Sequence, residues 1–274
     1  MTLNQHEKAT RFRALHDGPG AFVIPNPWDV PSSRLLAGLG FQALATSSAA
    51  SAGAIGRRDG GLTRDQALEH ARTIVEATDL PVSADLEKGF GDAPEIVAQT
   101  IRLAAEAGLV GCTIEDSTGD PHNPLYDERL AGERIAAAAE AAHAFRFPFM
   151  LTARAHNFLY AAPDLDATIR RLKAFEEAGA DVLFAPGLPD LDAVRTVCAS
   201  VSKPFNFMVG ITGKSFSVPE LTAAGVRRIS LATSLYRAAM TGLIHAAREV
   251  QNPGRFDFLE QSLTTAELNE LMRI

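Results

Sequence analysis

The chain has 274 residues, of which 46% are hydrophobic and 22% are charged, and this composition excludes global disorder. Its formal net charge of −7 argues against binding to nucleic acid or a membrane surface, because there is no excess of cations to neutralise phosphates. No run approaches the ~18 consecutive apolar residues of a membrane span, and the two cysteines, Cys112 and Cys198, cannot form a disulfide framework, so we expect a cytoplasmic protein.

Short apolar runs alternate with helical patterns along the chain. Several of these runs directly follow a glycine that ends a helical pattern, as in AEAGLVGCTIED, and this glycine suits a left-handed helix C-cap. Runs of four to six residues that are apolar on both faces are typical of parallel strands buried on both sides. The eight predicted strands lie at 21–25, 41–46, 81–87, 112–116, 149–155, 181–186, 203–208 and 227–232.

Helical patterns fill the intervals between these strands. Eight alternations predict a (β/α)₈ barrel that forms one domain over residues 1–274, with a C-terminal helical extension from about residue 234. A doubly wound open sheet is the alternative fold, but NPWDVP follows the first strand where a dinucleotide-binding sheet has a glycine-rich turn. The clearest helical patterns lie at 63–78, 94–108, 132–145, 165–179 and 191–201.

Polar residues stand where the predicted strands end, and in a barrel this edge carries the active site. Carboxylates follow the third and fourth strands, and an arginine ends the fifth. The sixth strand is followed only by the apolar sequence Ala185-Pro186-Gly187. The polar residues, in chain order, are Asn26, Trp28, Asp29, Thr46, Ser47, Ser48, Asp85, Glu87, Glu115, Asp116, Arg154, His156, Asn157 and Asn206.

Four carboxylates, on Asp85, Glu87, Glu115 and Asp116, are predicted to converge from neighbouring strands. Asp85 and Glu87 are two positions apart, so we expect both side chains on one face of a strand. A divalent cation relieves the repulsion of crowded carboxylates, and an all-oxygen donor set favours Mg²⁺ or Mn²⁺ over Zn²⁺. Alternatively these acids are solvated or paired with Arg and Lys. Glu115 and Asp116 are sequential and point apart, so Asp116 is the least expected ligand.

Arg154 ends the apolar run LTAR, where its guanidinium can bind a carboxylate or a phosphate through two hydrogen bonds, or can pair with an internal acid. The small residues Thr46, Ser47 and Ser48 can present donors to a second anionic group, although ordinary turns have the same composition. A cation on one side and these donors on the other suit a small substrate with two anionic ends, such as a 2-oxo acid, reacting through an enolate.

Two loops are further candidates for the site. Asp59 lies in GAIGRRDGG and either reaches the cation through water or belongs to a solvated loop. The stretch 117–133 after the fourth strand is long for such a connection, and it carries His122 and Asn123. Long loops in compact domains tend to be functional, so this loop could act as a lid, although a lone histidine in a loop is more often simply solvated.

The motifs NPWDVPSSRLL, TSSAASAGAIGRRDGG, SADLEKGFGD, GCTIEDS and TARAHNFL resemble, in this order, those of the isocitrate lyase/phosphoenolpyruvate mutase superfamily. The resemblance covers most of the chain, about 10–245. It implies a (β/α)₈ barrel, a Mg²⁺-dependent site and attack on a C–C or P–C bond next to a 2-oxo acid through an enolate. It also implies that C-terminal helices are exchanged between the subunits of a homo-oligomer, a dimer or a tetramer.

The resemblance and the positions at the strand ends together predict which residues bind the metal, which bind the substrate and which are catalytic. The implied metal ligands are Asp85, directly, and Asp59, Glu87 and Glu115, through water. The predicted substrate-binding residues are Trp28, Ser47, Ser48, Asp85, Arg154 and Asn206. The predicted catalytic residues are Arg154, Glu115 and Asn123, the last matching a gating-loop position.

Departures from the family pattern restrict the expected activity. Lyases of the family have a Lys-Lys-Cys-Gly lid with a catalytic cysteine, whereas this loop reads STGDPHNPLYD. The mutase and phosphonopyruvate hydrolase branches have a lysine and a serine on the lid, where Pro121 and Pro124 stand, and a histidine where Pro186 stands. A cysteine-dependent isocitrate lyase and a phosphoryl-transfer enzyme are therefore both disfavoured.

We therefore predict a Mg²⁺-dependent lyase that acts on a C–C bond of a small 2-oxo or 2-hydroxy di- or tricarboxylic acid. Oxaloacetate decarboxylation is the preferred example, because it needs only the metal, enolate stabilisation and a proton donor. One alternative is an enzyme that cleaves P–C bonds of the phosphonopyruvate type. The other is a metal-dependent 2-oxo-acid binding protein with little turnover, and a purely structural barrel would bind no metal.

Overall fold

The computed structural model describes residues 3–160 and 163–273, with strands and helices in alternation. The strands are β1 Phe22–Ile24, β2 Leu44–Ala45, β3 Val82–Asp85, β4 Gly111–Glu115, β5 Met150–Arg154, β6 Val182–Phe184, β7 Phe205–Met208 and β8 Arg228–Ser230. The helices are α1 Gln5–Asp17, α2 Val30–Gly38, α3 Ser48–Ala54, α4 Arg64–Glu76, α5 Pro94–Glu106, α6 Glu128–His143, α7 Asn157–Tyr160, α8 Leu165–Glu177, α9 Leu191–Ser200, α10 Val218–Ala223, α11 Ser234–Gln251 and α12 Thr265–Leu271. A 3₁₀ helix spans Asp257–Gln261.

The eight strands form one parallel sheet in the order β1-β8-β7-β6-β5-β4-β3-β2. The two end strands are joined where the N–H of Ala45 donates to the carbonyl of Pro25 at 3.0 Å, so the sheet is nearly closed. The predicted (β/α)₈ barrel is confirmed, and the doubly wound alternative is wrong because an open sheet does not bring its end strands together. Seven of the observed strands are shorter than the predicted runs because pairing covers only part of each run, whereas β4 is as long as predicted and begins one residue earlier.

One predicted helix begins earlier than its apolar pattern indicated. The pattern predicted a start at residue 132, but α6 begins at Glu128 because the side chain of Asp127 accepts the N–H of Leu130 at 3.0 Å and caps the first turn. Arg134 in this helix is almost fully buried, and its guanidinium donates to the carbonyls of Lys88, Gly91 and Asp92. Helix α6 therefore holds the loop after β3 in place beside the carboxyl end of the barrel.

Helix α1 covers the start of several strands with apolar side chains. Phe12 is fully buried in a cluster with Ile24, Val110, Met150 and Val182. Val110, Met150 and Val182 lie at or directly before the first residue of β4, β5 and β6, so the cluster closes the interior on the side away from the polar edge. The hydrophobic cluster thus leaves the barrel open towards the carboxyl ends of the strands.

The C-terminal extension beyond β8 is mainly exposed. Helix α11 has no buried residue, whereas α12 contacts α2 of the same chain. The exposed apolar side chains of the extension are Leu243, Ile244, Val250, Phe256, Leu259 and Leu263. Exchange of these helices between subunits, and a homo-oligomeric state, stay predictions. Within residues 3–160 and 163–273, no helix has both the length and the hydropathy to cross a membrane.

Candidate active site

A cavity of about 220 Å³ opens at the carboxyl ends of the strands, where the sequence predicted the site. Its walls include both small polar residues and charged ones. The predicted site residues that line it are Ser47, Ser48, Asp59, Asp85, Arg154 and Asn206. The predicted residues that do not line it are Trp28, Glu87, Glu115 and Asn123.

An arginine and two carboxylates on three adjacent strands form the centre of the site. Asp85, Glu115 and Arg154 are the last residues of β3, β4 and β5. The Nη1 atom of Arg154 lies 3.7 Å from Oδ2 of Asp85 and 3.4 Å from Oε2 of Glu115. The three side chains are only 14–16% exposed, so water screens their charges weakly. Arg154 is therefore an internal partner of two acids and also a wall of the cavity.

Asp85 is fixed in position by backbone hydrogen bonds. Its carboxylate accepts the N–H of Ser48 at 3.3 Å and the N–H of Glu87 at 3.2 Å, and its own N–H donates to Oγ1 of Thr46 at 3.1 Å. Burial raises the pKa of Asp85; Glu115 adds to the effect, and the guanidinium of Arg154 opposes it. The ionised form of Asp85 would thus gain from a further positive charge in the cavity.

Glu87 reaches the cluster by a route that the sequence did not predict. We expected it on the same face of a continuous strand as Asp85, but β3 ends at Asp85 and Glu87 has a φ of 51° in a turn. The same-face argument is therefore wrong, because a left-handed residue breaks the two-residue alternation of a strand. Burial, together with the charges of Asp85, Asp59 and Glu115, raises the pKa of Glu87 to about 7.

Glu115 has a second partner in His156, which is 1% exposed and has Nε2 3.2 Å from Oε2 of Glu115. Burial alone would raise the pKa of Glu115, but His156 and Arg154 hold the pKa below its usual value. Glu115 is therefore a permanent anion next to the cavity. The imidazole and the guanidinium hold its carboxylate on the side of β4 that faces the site.

Asp116 turns away from this cluster, as its sequential position next to Glu115 indicated. Its Oδ2 lies 3.2 Å from Nη1 of Arg171, and its Oδ1 accepts the N–H of His156 at 2.9 Å. The carboxylate is 1% exposed in this pair. Asp116 is thus an anchor between β4, β5 and α8 rather than a wall of the cavity.

The carboxylates of the site suit Mg²⁺ better than a metal that needs a complete protein cage. Among the residues that the structure describes, no three His, Cys, Asp or Glu side chains are placed to hold a metal by themselves. Mg²⁺ usually keeps several waters and takes only one or two carboxylates. Asp59 and Asp85 line the cavity, and Glu87 lies close enough to Asp59, Asp85 and Glu115 for their charges to raise its pKa. This all-oxygen donor set fits a hydrated hard dication.

Trp28 and Asn123 lie outside the cavity for different reasons. The ring of Trp28 packs against Tyr236 with ring centres 5.5 Å apart, and its carbonyl lies 2.8 Å from Nε2 of His70. Asn123 is exposed at the tip of the long loop, which folds back through a bridge between Ser117 and Leu125. Roles for Trp28 in substrate binding and for Asn123 in catalysis stay predictions.

Sequence reasoning missed a polar layer deeper in the barrel. Arg228, Ser230, Thr113 and Ser83 line the cavity below the carboxylates. The signal was present in GVRRIS, where two arginines stand in a short strand that must pack against neighbours on both sides. One of the two must then point into the barrel. Asn206, which we placed at a strand end, is the second residue of β7 and belongs to this deeper layer.

Comparisons with known proteins place the chain among enzymes of related chemistry. The family model "Phosphoenolpyruvate phosphomutase" matches residues 12–251. The 2-methylisocitrate lyase of Escherichia coli (strain K12) is 29% identical over 98% of this chain and 92% of that protein. The oxaloacetate decarboxylase of Bradyrhizobium diazoefficiens is 28% identical, covering 94% and 90%. A solved structure from Burkholderia cenocepacia J2315, provisionally assigned as a lyase/mutase, is 50% identical with a TM-score of 0.95, covering 97% and 96%.

Proposed function

This chain belongs to the PEP mutase/isocitrate lyase superfamily, and from that premise we propose that it is a Mg²⁺-dependent lyase of small 2-oxo or 2-hydroxy di- or tricarboxylic acids. The observation that carries the proposal is the cluster of Asp85, Glu115 and Arg154 at the mouth of a small polar cavity. The carboxylates of Asp85 and Glu115 match a bound dication, and the guanidinium of Arg154 matches the carboxylate of a 2-oxo acid. Oxaloacetate decarboxylation is the simplest reaction of this class.

Mg²⁺ would be held by Asp85 directly and by Asp59, Glu87 and Glu115 through water, and when bound it would polarise the 2-oxo carbonyl as a Lewis acid. The protein fixes Asp85 with the N–H groups of Ser48 and Glu87, so little reorganisation is needed on binding. This arrangement keeps the carboxylate in place before the substrate arrives.

Arg154 and the small hydroxyl residues would orient the substrate. The guanidinium is held by Asp85 and Glu115 and lies with Cζ 4.9 Å from the ring centre of Phe184, so its position is restricted. It would stabilise negative charge that develops when the C–C bond breaks and an enolate forms. Ser47 and Ser48, which also line the cavity, would donate hydrogen bonds to the substrate carboxylate.

The described residues contain no cysteine placed to act as an acid or base at this site. Cys112 is fully buried inside β4, and burial raises the pKa of its thiol. Cys198 is half-buried in α9, away from the cavity lining. A reaction in which the enolate carbon takes its proton from water at the open mouth needs no such residue. This supports decarboxylation over the cysteine-dependent cleavage that the lid sequence already disfavoured.

Binding of a 2-oxo acid with little turnover is the second candidate. It is favoured by Pro186, which is buried after β6 and offers no acid or base, and by the exposed position of the loop tip around Asn123. This role uses the same cation and the same cavity. The two candidates differ only in whether a bond breaks after binding.

The test is turnover by the purified protein with Mg²⁺ on oxaloacetate, 2-methylisocitrate and phosphonopyruvate. Release of pyruvate would be followed with a coupled dehydrogenase assay and compared with the blank and with an Asp85→Asn variant, because oxaloacetate also decays without enzyme. Faster release from oxaloacetate or 2-methylisocitrate by the native protein alone supports the lyase, whereas release from phosphonopyruvate would support the enzyme that cleaves P–C bonds. Tight binding of oxalate without turnover of any of these compounds would instead support the binding protein, and absence of both would contradict the site.

A further inference from the structure

The interior of the barrel contains a second buried arginine that the proposed reaction does not use. Arg228 begins β8, and only 4% of its surface is exposed. Its Nε donates to Oδ1 of Asn206 at 2.8 Å, and its Nη2 donates to Oγ1 of Thr152 at 3.0 Å. Its Nη1 lies 3.5 Å from Nε2 of His16. The guanidinium therefore crosses the interior between β8, β7 and β5.

All three of these partners are neutral. Nδ1 of His16 lies 2.8 Å from the carbonyl of Phe12, which can only accept, so Nδ1 carries the proton and Nε2 accepts from Arg228. Burial and the neighbouring Arg228 lower the pKa of His16 to about 3, which keeps the imidazole uncharged. Burial also lowers the pKa of Arg228 to about 9, and the guanidinium is still charged at neutral pH.

Arg228 thus keeps a positive charge without an anionic partner. None of the ion pairs found within residues 3–160 and 163–273 includes this residue. A buried charge that has no counter-charge is costly, and proteins normally pair it or use it to bind a ligand. A ligand explanation requires that an anion can reach the guanidinium.

The cavity provides this access, because Arg228 and its partner Asn206 both line it below Asp85 and Arg154. The guanidinium of Arg228 contacts Thr152, which stands two residues before Arg154 in β5. This spacing gives the difference in height between the two arginine levels of the cavity. Two residues of a strand span about 6.6 Å. Four carbon–carbon bonds of about 1.5 Å in a zigzag span roughly 5 Å, so a five-carbon diacid can place one carboxylate at each level.

We propose that Arg228 is a substrate-binding residue that holds the second carboxylate of a diacid at the floor of the cavity. The inference rests on the proposed function, since it takes the 2-oxo carboxylate to lie at the level of Asp85 and Arg154. Arg228 then selects 2-oxo diacids over 2-oxo monoacids of the same length. Asn206 and Thr152 position the guanidinium for this contact.

The experiment compares 2-oxoglutarate with 2-oxopentanoate, which has the same five carbons but lacks the distal carboxylate. Dissociation constants are measured by titration calorimetry on the full chain with saturating Mg²⁺. We expect the native protein to bind 2-oxoglutarate at least tenfold more tightly. Arg228→Met should reduce this ratio to within about twofold and leave the Kd of 2-oxopentanoate within about threefold, since only the distal contact is removed.

The neighbouring Arg227 is the matched control. It donates to the carbonyl of Gly20 at 2.6 Å and also to that of Gly18, outside the cavity, so Arg227→Met should keep the native ratio. If Arg228→Met does not fold, Arg228→Lys serves as the second variant. It retains a positive charge on the floor, so we expect it to keep part of the preference for 2-oxoglutarate. The inference is overturned by a native ratio within twofold, by no binding of 2-oxoglutarate, or by an unchanged ratio in Arg228→Met.

These binding ratios do not depend on turnover. If the ratio behaves as expected while none of the substrate panel is converted, the lyase proposal fails and the role of Arg228 stands. If substrates are converted but the two dissociation constants differ by less than twofold in the native protein, the lyase proposal stands and the role of Arg228 fails.

Discussion

Arg154 and Arg228 are two arginines of the barrel interior, the first partly and the second almost fully buried, and their surroundings differ in charge. Arg154 lies between the carboxylates of Asp85 and Glu115 at the mouth of the cavity. Arg228 lies deeper among Asn206, Thr152 and His16, all of them neutral. The mouth therefore has an excess of negative charge and the floor an excess of positive charge. These opposite imbalances fit the proposed cation at the mouth and the proposed anionic group at the floor.

Backbone strain is also concentrated at the mouth. Glu87 and Ala232 both have positive φ values, 51° and 48°, although neither is a glycine. Ala232 lines the cavity, and Glu87 lies two residues after Asp85. Strained residues of this kind persist only where the surrounding structure holds them, and they cluster at functional sites. The floor, in contrast, consists of residues in regular strands and of His16 in helix α1.

The largest expected effect comes from removing one charge at the mouth. Asp85→Asn should lower kcat/KM at least 10³-fold, because the loss of the dication removes several kcal/mol of transition-state stabilisation. The control is Asp65→Asn, which removes the same charge from a carboxylate that is 89% exposed on α4. Steady-state kinetics with the best substrate of the panel gives the comparison. Equal activity of the two variants would contradict a role for Asp85 in binding the dication.

The next effect separates a site carboxylate from an anchoring one. Asp116→Ala should lower the free energy of unfolding by about 3 kcal/mol, because it leaves Arg171 buried without its counter-charge. Asp85→Asn should change it by less than about 1 kcal/mol in the metal-free protein, because crowded carboxylates repel one another. Urea unfolding measures both. The opposite ranking would mean that Asp85, not Asp116, is the structural acid.

A smaller effect tests whether the floor is neutral apart from Arg228. The pKa of His16 is lowered in the fold from 6.5 to about 3, so below pH 6.5 the unfolded chain binds a proton that the folded chain excludes. This contribution to stability is complete above pH 6.5 and is lost as the pH falls, at up to about 1.4 kcal/mol per pH unit, or about 2 kcal/mol at pH 5.

His16→Gln should remove that part of the acid sensitivity between pH 7 and pH 5. His6→Gln, on the exposed side of the same helix, should not change it. The measurement is urea unfolding of the three proteins at both pH values. An acid sensitivity of His16→Gln equal to that of the native protein would show that the imidazole takes up a proton as readily in the folded chain as in the unfolded chain.

The smallest effect concerns the edge of the mouth. Trp28→Phe should change kcat/KM by less than about threefold, because the indole packs against Tyr236 and does not line the cavity. Ser48→Ala provides the contrast, since Ser48 does line it, and should lower kcat/KM by about tenfold through one lost hydrogen bond to a charged group. A larger loss in Trp28→Phe would support the substrate contact that the sequence predicted for Trp28.

The barrel and the position of its site follow from local patterns in the sequence. The apolar runs and the glycine caps predicted eight strands, and strand ends alone placed Asp85, Glu115 and Arg154 together. These predictions succeeded because parallel strands bring their carboxyl ends to one edge whatever the details of the packing. The boundaries were less accurate, because the side-chain cap of Asp127 and the short span of strand pairing decide them.

The parts that could not be predicted depend on three-dimensional geometry. The left-handed turn at Glu87 is not visible in the letters SADLEKGFGD, because a non-glycine residue rarely adopts it. The direction in which Arg228 points depends on the alternation of a three-residue strand, which is too short for a pattern. Its neutral surroundings come from residues on α1, β5 and β7 that are distant in sequence.

The central claim is that the carboxylates at the mouth bind one hard dication. Its most direct test is a titration of the purified protein with Mn²⁺ by calorimetry or electron paramagnetic resonance, with competition by Mg²⁺. We predict one site per chain that Mg²⁺ displaces, that Asp85→Asn abolishes and that Asp65→Asn preserves. Absence of binding, or binding that survives in Asp85→Asn, would contradict the account.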